Sequence, residues 1–127
     1  MTMENYNEEK LIRHWIRYHE LEEYSSERKE YFWAEIKIND YIETDPELAW
    51  KLLLNILSLD INQRAIGLLA AGPLEDLLSD HGPQLIDRIE KEAKTNDSFK
   101  YALTGVWQGG MDDNIWRRVQ EARQMDE

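Results

Sequence analysis

Apolar and polar positions along this chain alternate with a helical period almost throughout. From Glu8 to about Tyr24, Leu11, Ile12, Trp15, Ile16 and His19 recur at spacings of three and four, while Arg13, Arg17, Glu20 and Glu23 point away. That pattern predicts an amphipathic first helix, whereas residues 1–7 carry no period and are expected to be disordered. Ser25 and Ser26 break the register and offer an N-cap, so a second helix is expected from about Glu27 to Ile42, with Phe32, Trp33, Ile36, Ile38, Tyr41 and Ile42 as its apolar positions. Thr44-Asp45-Pro46-Glu47 is a strong helix start: either Thr44 and Glu47 form a capping box, or Asp45 is the cap and Pro46 takes the first helical position. The helix it opens, Pro46 to about Leu59, is apolar on nearly every side, which predicts burial at the centre of the fold. Asp60 and Asn62 cap the next segment, which carries Ala65, Ile66, Leu68, Leu69 and Ala70 up to Gly72.

The densest punctuation lies between Leu68 and Glu90. Gly72-Pro73 and Gly82-Pro83 each read as the stop of one helix and the start of another, with glycine in the left-handed position after a helix and proline in the first turn of the next. Between them Leu74, Leu77 and Leu78 line one face, and after Pro83 the stripe resumes as Leu85, Ile86, Ile89 and Ala93. Thr95 to Ser98 is a loop with a cap, Phe99 to Trp107 a short helix, and Asp112 or Asp113 the cap of a last helix with Ile115, Trp116 and Val119 inward and Arg117, Arg118 and Arg123 outward. No segment keeps a period of two. The fold class is therefore all-α: about eight short helices stacked as antiparallel hairpins, an irregular bundle or short HEAT-like array, in a single helical domain over residues 8–124.

Composition narrows the partners. The chain has 127 residues, and its 26 acidic against 15 basic side chains give a formal charge of -11, spread along the whole length. Nucleic acids and anionic membranes reward clustered Lys and Arg, so neither is an expected partner; a basic protein is. With no cysteine there is no disulfide framework or thiolate site, and no apolar run is long enough to span a bilayer. The polar, acidic start lacks the pattern of a signal peptide, so the expectation is a cytoplasmic protein, monomeric or weakly homodimeric.

The candidate polar constellation is Glu75, Asp76, Asp80 and His81, where Asp76 and Asp80 share a helix face. A hydrolytic metal site would need such carboxylates to converge with an imidazole; capping and solvation are the reading preferred for them, and no recognised metal or cofactor motif is present, so neither metal nor cofactor is expected. His14 and His19 lie five apart, too far round a helix to share a ligand, and read as a rim and a core-edge histidine. Arg88 in its acidic helix has Glu92 as a local partner. Of five tryptophans, Trp15, Trp33, Trp50 and Trp116 sit on apolar faces and are expected in the core. Trp107 differs: beside Gln108-Gly109-Gly110-Met111 it reads either as a lid over the core or as part of a binding surface.

In Ala70-Ala71-Gly72-Pro73-Leu74-Glu75-Asp76-Leu77-Leu78, His81-Gly82, Ile86-Asp87-Arg88-Ile89-Glu90, Gly105-Val106-Trp107-Gln108 and Trp116 with Val119-Gln120, the chain resembles an uncharacterised bacterial domain-of-unknown-function family. The likeness extends more weakly to Asp45-Pro46-Glu47 and Trp50. It implies a small α-helical protein and supplies no activity and no catalytic residue.

Two functions remain. One is a non-enzymatic interaction module, such as an immunity or antitoxin-like partner of a basic protein, using Glu75, Asp76, Asp80, His81, Arg88, Trp107 and Gln108 as its surface. The other is a small enzyme or ligand-binding domain with a pocket near His81 and Trp107. The lack of any nucleophile elbow, phosphate loop or dinucleotide fingerprint weighs against an enzyme.

Overall fold

The computed structural model describes the backbone of residues 3–124 and the side chains of residues 8–124. The expectation for residues 1–7 falls on residues 1 and 2 and on side chains that lie outside the described residues. The first helix, α1, is Met3–Glu20; a 3-10 segment, Ser26–Tyr31, runs into α2, Phe32–Thr44; α3 is Pro46–Leu57 and α4 Gln63–Leu69. A π-helical turn, Ala70–Leu74, joins α4 to α5, Glu75–Thr95, and α6, Asp97–Leu103, and α7, Asp113–Ala122, complete the order. The all-α expectation holds. Among the described residues six helical runs stand where about eight short helices were expected.

The difference comes from the two Gly-Pro pairs: at Gly72-Pro73 the chain stays helical, while before Gly82-Pro83 two helices meet at a kink and run on as one element, so the second pair does mark the junction that its sequence predicts. Proline in a helix lacks an N–H and drives its ring toward the carbonyl four residues back. At Pro73 the winding widens to a π turn, and at Pro83 the strain is taken by His81, whose φ of -135° and ψ of 25° make a kink. The preceding residue has no Cβ to strike the proline ring, so a helical backbone before proline is accessible to Gly82 and Gly72 where another residue would resist it. Neither glycine is left-handed: among the described residues only Gly109 has positive φ.

The caps follow the chemistry read from sequence. Asp45 Oδ1 accepts from Leu48 N at 3.2 Å with Pro46 in the first turn, Asn62 Oδ1 accepts from Ala65 N at 2.8 Å, Asn96 from Phe99 N at 3.1 Å and Asp112 from Ile115 N at 2.8 Å. Thr44 instead turns its hydroxyl back to Asp40 O, closing α2.

The chain divides into two compact units, Met1–Ile66 and Gly67–Glu127. In the first, α1, α2 and α3 pack on one another, and α3 buries Ala49, Trp50, Leu52, Leu53, Ile56 and Leu57, as its all-round apolarity predicts. Trp15 is fully buried, and His19 is buried against it with ring centroids 4.2 Å apart, facing the Glu35 carboxylate. The face of α2 is a correction. Its buried stripe is Ala34, Ile38 and Ile42, while Phe32, Trp33 and Ile36 are exposed to solvent. Trp33 is not a core residue. Its indole N–H donates to His14 Nδ1 at 2.9 Å, which makes His14 the rim histidine.

In the second unit α5 carries the core, burying Leu77, Leu78, Leu85, Ile86 and Ile89 and packing against α6 and α7. Arg118, expected to face outward, instead reaches α5: its Nε donates to Glu90 at 2.9 Å and its Nη2 to Asp87 at 2.6 Å. These bonds hold the Glu90 carboxyl below its ordinary range against the opposing effect of burial, and raise the guanidinium further.

Candidate functional site

After α6 the chain must turn to enter α7, and the turn is held by residues at its two sides. Val106 and Met111 are both buried, so the segment between them is clamped on the core. Between the clamps Trp107 is 74% exposed. It is not a lid over the core. An indole this open costs hydrophobic free energy, and that cost is tolerated here by a backbone fixed in several places.

Trp107 N–H donates to Glu75 Oε1 at 2.9 Å, and Gly110 N–H donates to Ser79 Oγ at 3.0 Å. Glu75 and Ser79 are one turn apart on α5, so one helix face takes both ends of the loop tip. Within the loop Met111 N–H closes on Gln108 O at 2.9 Å, and the Gln108 amide donates to Met111 O at 3.1 Å and Asp113 Oδ1 at 3.0 Å. Arg123 Nη1 donates to Val106 O at 2.7 Å, and its guanidinium stacks on Trp116 at 4.9 Å. Gly109 has φ of 52°, and a Cβ there would come within 2.9 Å of Ser79 Oγ and 3.2 Å of Glu75 Oε2. Conformation and space both demand glycine.

The helix turn beneath the loop is acidic. Asp76 and Asp80 are exposed, and the Asp76 carboxyl is pushed above its ordinary value, first by loss of water around it, then by the charges of Asp80 and Glu75. Like charges are crowded here, and an incoming cation would relieve them.

Of the residues expected to form a surface, the structure joins Glu75 and Trp107 directly, with Gln108 bracing the loop and Asp76 and Asp80 on the same turns of α5. His81 has another part: it is the kink that lets α5 pass Pro83. Arg88 is exposed about two turns further along α5, past that kink. The carboxylate expected beside it, Glu92, accepts from the Asn96 amide at 2.9 Å. Ser79 and Arg123 are additions to the expected set, while Gly109 and Gly110 were read only as the turn beside Trp107. Ser79 stands four residues after Glu75, on the same face, and that spacing was the available signal.

Among the described residues, open cavities of about 460, 450 and 500 Å³ are lined by other side chains: the first by Ile12, Asn55 and Leu59, the second by Lys94, Lys100 and Glu121, the third by Tyr18, Arg28 and Phe32. Among the described residues no group of three or more His, Asp or Glu side chains is placed to hold a metal ion, and no helix is long and apolar enough to cross a membrane.

A family model described as Family of unknown function (DUF6869) matches residues 21–126. No match is found among curated proteins or among solved structures.

Proposed function

Because the chain belongs to this family of unknown function, which brings no activity with it, we propose its role from the Trp107 loop: a non-enzymatic module that binds another protein through a basic patch on that partner. The carrying observation is an indole 74% exposed on a backbone held by Glu75 and Ser79. Tryptophan is among the residues that contribute most to interfaces, and a loop already ordered loses little further entropy on binding. Asp76 and Asp80 beside it, within a chain of net charge -11, favour a cationic partner and speed its approach. Arginine suits both neighbours, since a guanidinium stacks on indole and pairs with carboxylates. A cytoplasmic partner of the immunity or antitoxin kind fits these features.

The test is affinity capture from the native host with wild-type protein and with Trp107→Ala. The expected result is a basic protein retained by the first, lost from the second and released as salt rises. A captured set that is acidic or neutral, or unchanged by Trp107→Ala, overturns the reading.

A further inference from the structure

His14 on α1 and Trp33 on α2 meet through one hydrogen bond, and the chemistry of its two nitrogens leaves a single protonation state for the histidine. An indole nitrogen only donates, so Trp33 Nε1–H, 2.9 Å from His14 Nδ1, needs a lone pair there. The imidazole is therefore neutral, with its own proton on Nε2. Its ring also meets those of Trp33 and Tyr31 edge-on, at centroid distances of 5.3 and 4.9 Å. Trp33 is 37% exposed, with Phe32 and Ile36 beside it on α2 at 47% each, so the indole has water on one side into which it can turn.

We propose that His14 is a pH-operated latch on Trp33: neutral, it holds the indole against α1, and protonated, it releases it. A proton on Nδ1 sets one N–H against another with no acceptor between them, and turns a positively charged ring toward the positive edge of the indole. The bond cannot be kept by a small adjustment, because both nitrogens now only donate. The groups around the imidazole decide where this happens. Burial first, then the charges of Lys10 and Arg13 on its own helix, disfavour the imidazolium, while Glu30 on the 3-10 segment favours it, and the result is a value below the ordinary 6.5. Arg13 is only loosely paired with Glu9, at 3.7 Å and open to water, and Tyr31 contributes a ring. Lys10 Nζ also lies 6.0 Å from the Trp33 ring centroid. The device is local: in acid the largest member of the exposed row Phe32, Trp33 and Ile36 is set free, while the buried stripe of α2, Ala34, Ile38 and Ile42, stays as it is.

Proton–nitrogen NMR of the full chain from about pH 8 to about pH 5 tests the latch, with the Trp33 indole signal identified by its loss in Trp33→Phe. The indole proton resonance should move upfield as its hydrogen bond breaks, on one titration curve shared with the carbon-bound ring protons of His14 and centred below about pH 6.5. His14→Asn is the discriminating variant, since its side-chain oxygen stands about where Nδ1 does and accepts at every pH. The pH response of the indole should vanish in it. His14→Phe should show the released position throughout. Amide signals of α3 that hold still across the series show that the fold itself is unchanged. An indole resonance that stays in place while His14 titrates overturns the proposal. So does one that moves alike in wild type and His14→Asn, and so does a His14 that reaches acid unfolding without titrating.

Discussion

Trp33 and Trp107 are both exposed indoles, yet they are held in opposite ways. Trp33 rides on a regular helix and is steadied through its side chain, whose N–H is taken by His14. Trp107 lies in a loop instead of a helix and is steadied through its backbone, by Glu75 at its own amide and by Ser79 at Gly110. The first arrangement fixes a ring and depends on the protonation of an imidazole. The second fixes where the chain runs, leaves the ring open, and depends on one glycine. Exposure alone therefore says little about rigidity; what matters is which atoms carry the restraint.

A buried indole sets the scale for both. Trp50→Ala is expected to cost about 3–5 kcal/mol in urea denaturation, the range for truncating a core aromatic, since Trp50 is only 7% exposed. A loss below about 1 kcal/mol would mean that α3 is not the heart of the first unit.

Next in size, Gly109→Ala should cost about 1–3 kcal/mol, from a residue with a Cβ forced to positive φ and from its collision with Ser79. The amide of Gly110 should lose hydrogen-exchange protection at the same time. Unchanged protection there would show that the loop is held by something other than the α5 contacts.

A smaller effect separates the two indoles by pH. His14 is held below its ordinary value of 6.5, so the unfolded chain binds this proton more readily than the fold does. Its contribution should be intact above about pH 6.5, diminish as pH falls below that, and be fully lost below the folded value. Melting of wild type and His14→Phe compared from about pH 8 to about pH 5 should show the wild type losing ground on acidification. A constant difference would break the link between His14 and the Trp33 face.

At the bottom of the scale, Trp107→Ala should change stability by no more than about 0.5 kcal/mol, and Asp76→Asn should raise the melting temperature slightly by removing a crowded charge. A large loss in the first, measured by the same melts, would return Trp107 to a packing role.

Much of this architecture was legible in advance because it rests on local chemistry. Asp45, Asn62 and Asp112 cap the helices they were expected to cap, and the all-round apolarity of α3 does mean burial. The face of α2 was misread because Phe32, Trp33 and Ile36 are bulkier than Ala34. Periodicity held the correction: Ala34, Ile38 and Ile42 continue at fours without interruption, whereas the line from Phe32 through Ile36 runs into Asp40. Of the Gly-Pro pairs, Gly82-Pro83 does follow a break, at His81, whereas Gly72-Pro73 is carried through a π turn, because glycine before proline admits a helical backbone as well as a turn. The Trp107 loop was half legible. Glycines next to a tryptophan mark a turn, but its anchors on Glu75 and Ser79 lie about thirty residues back in sequence.

The π turn at Ala70–Leu74 also has a bearing on how this chain tolerates changes in length. An α-helix advances about 100° per residue, so one extra residue would throw the following helix out of phase unless the turn that holds it widens, as a π turn does. Leu69 and Leu74, both fully buried, stand five apart across it, while the buried pairs Ala65 and Leu69 before it and Leu74 and Leu78 after it keep the usual four. The turn thus acts as a counted insertion. Shortening it by one residue would bring Leu69 and the leucine that closes the turn to the usual spacing of four, so a helix of ordinary winding would keep the downstream stripe, from Leu77 to Ile89, on the same face. What the turn sets is winding: as long as this segment keeps its present length, it has to widen here for the stripe to stay in register.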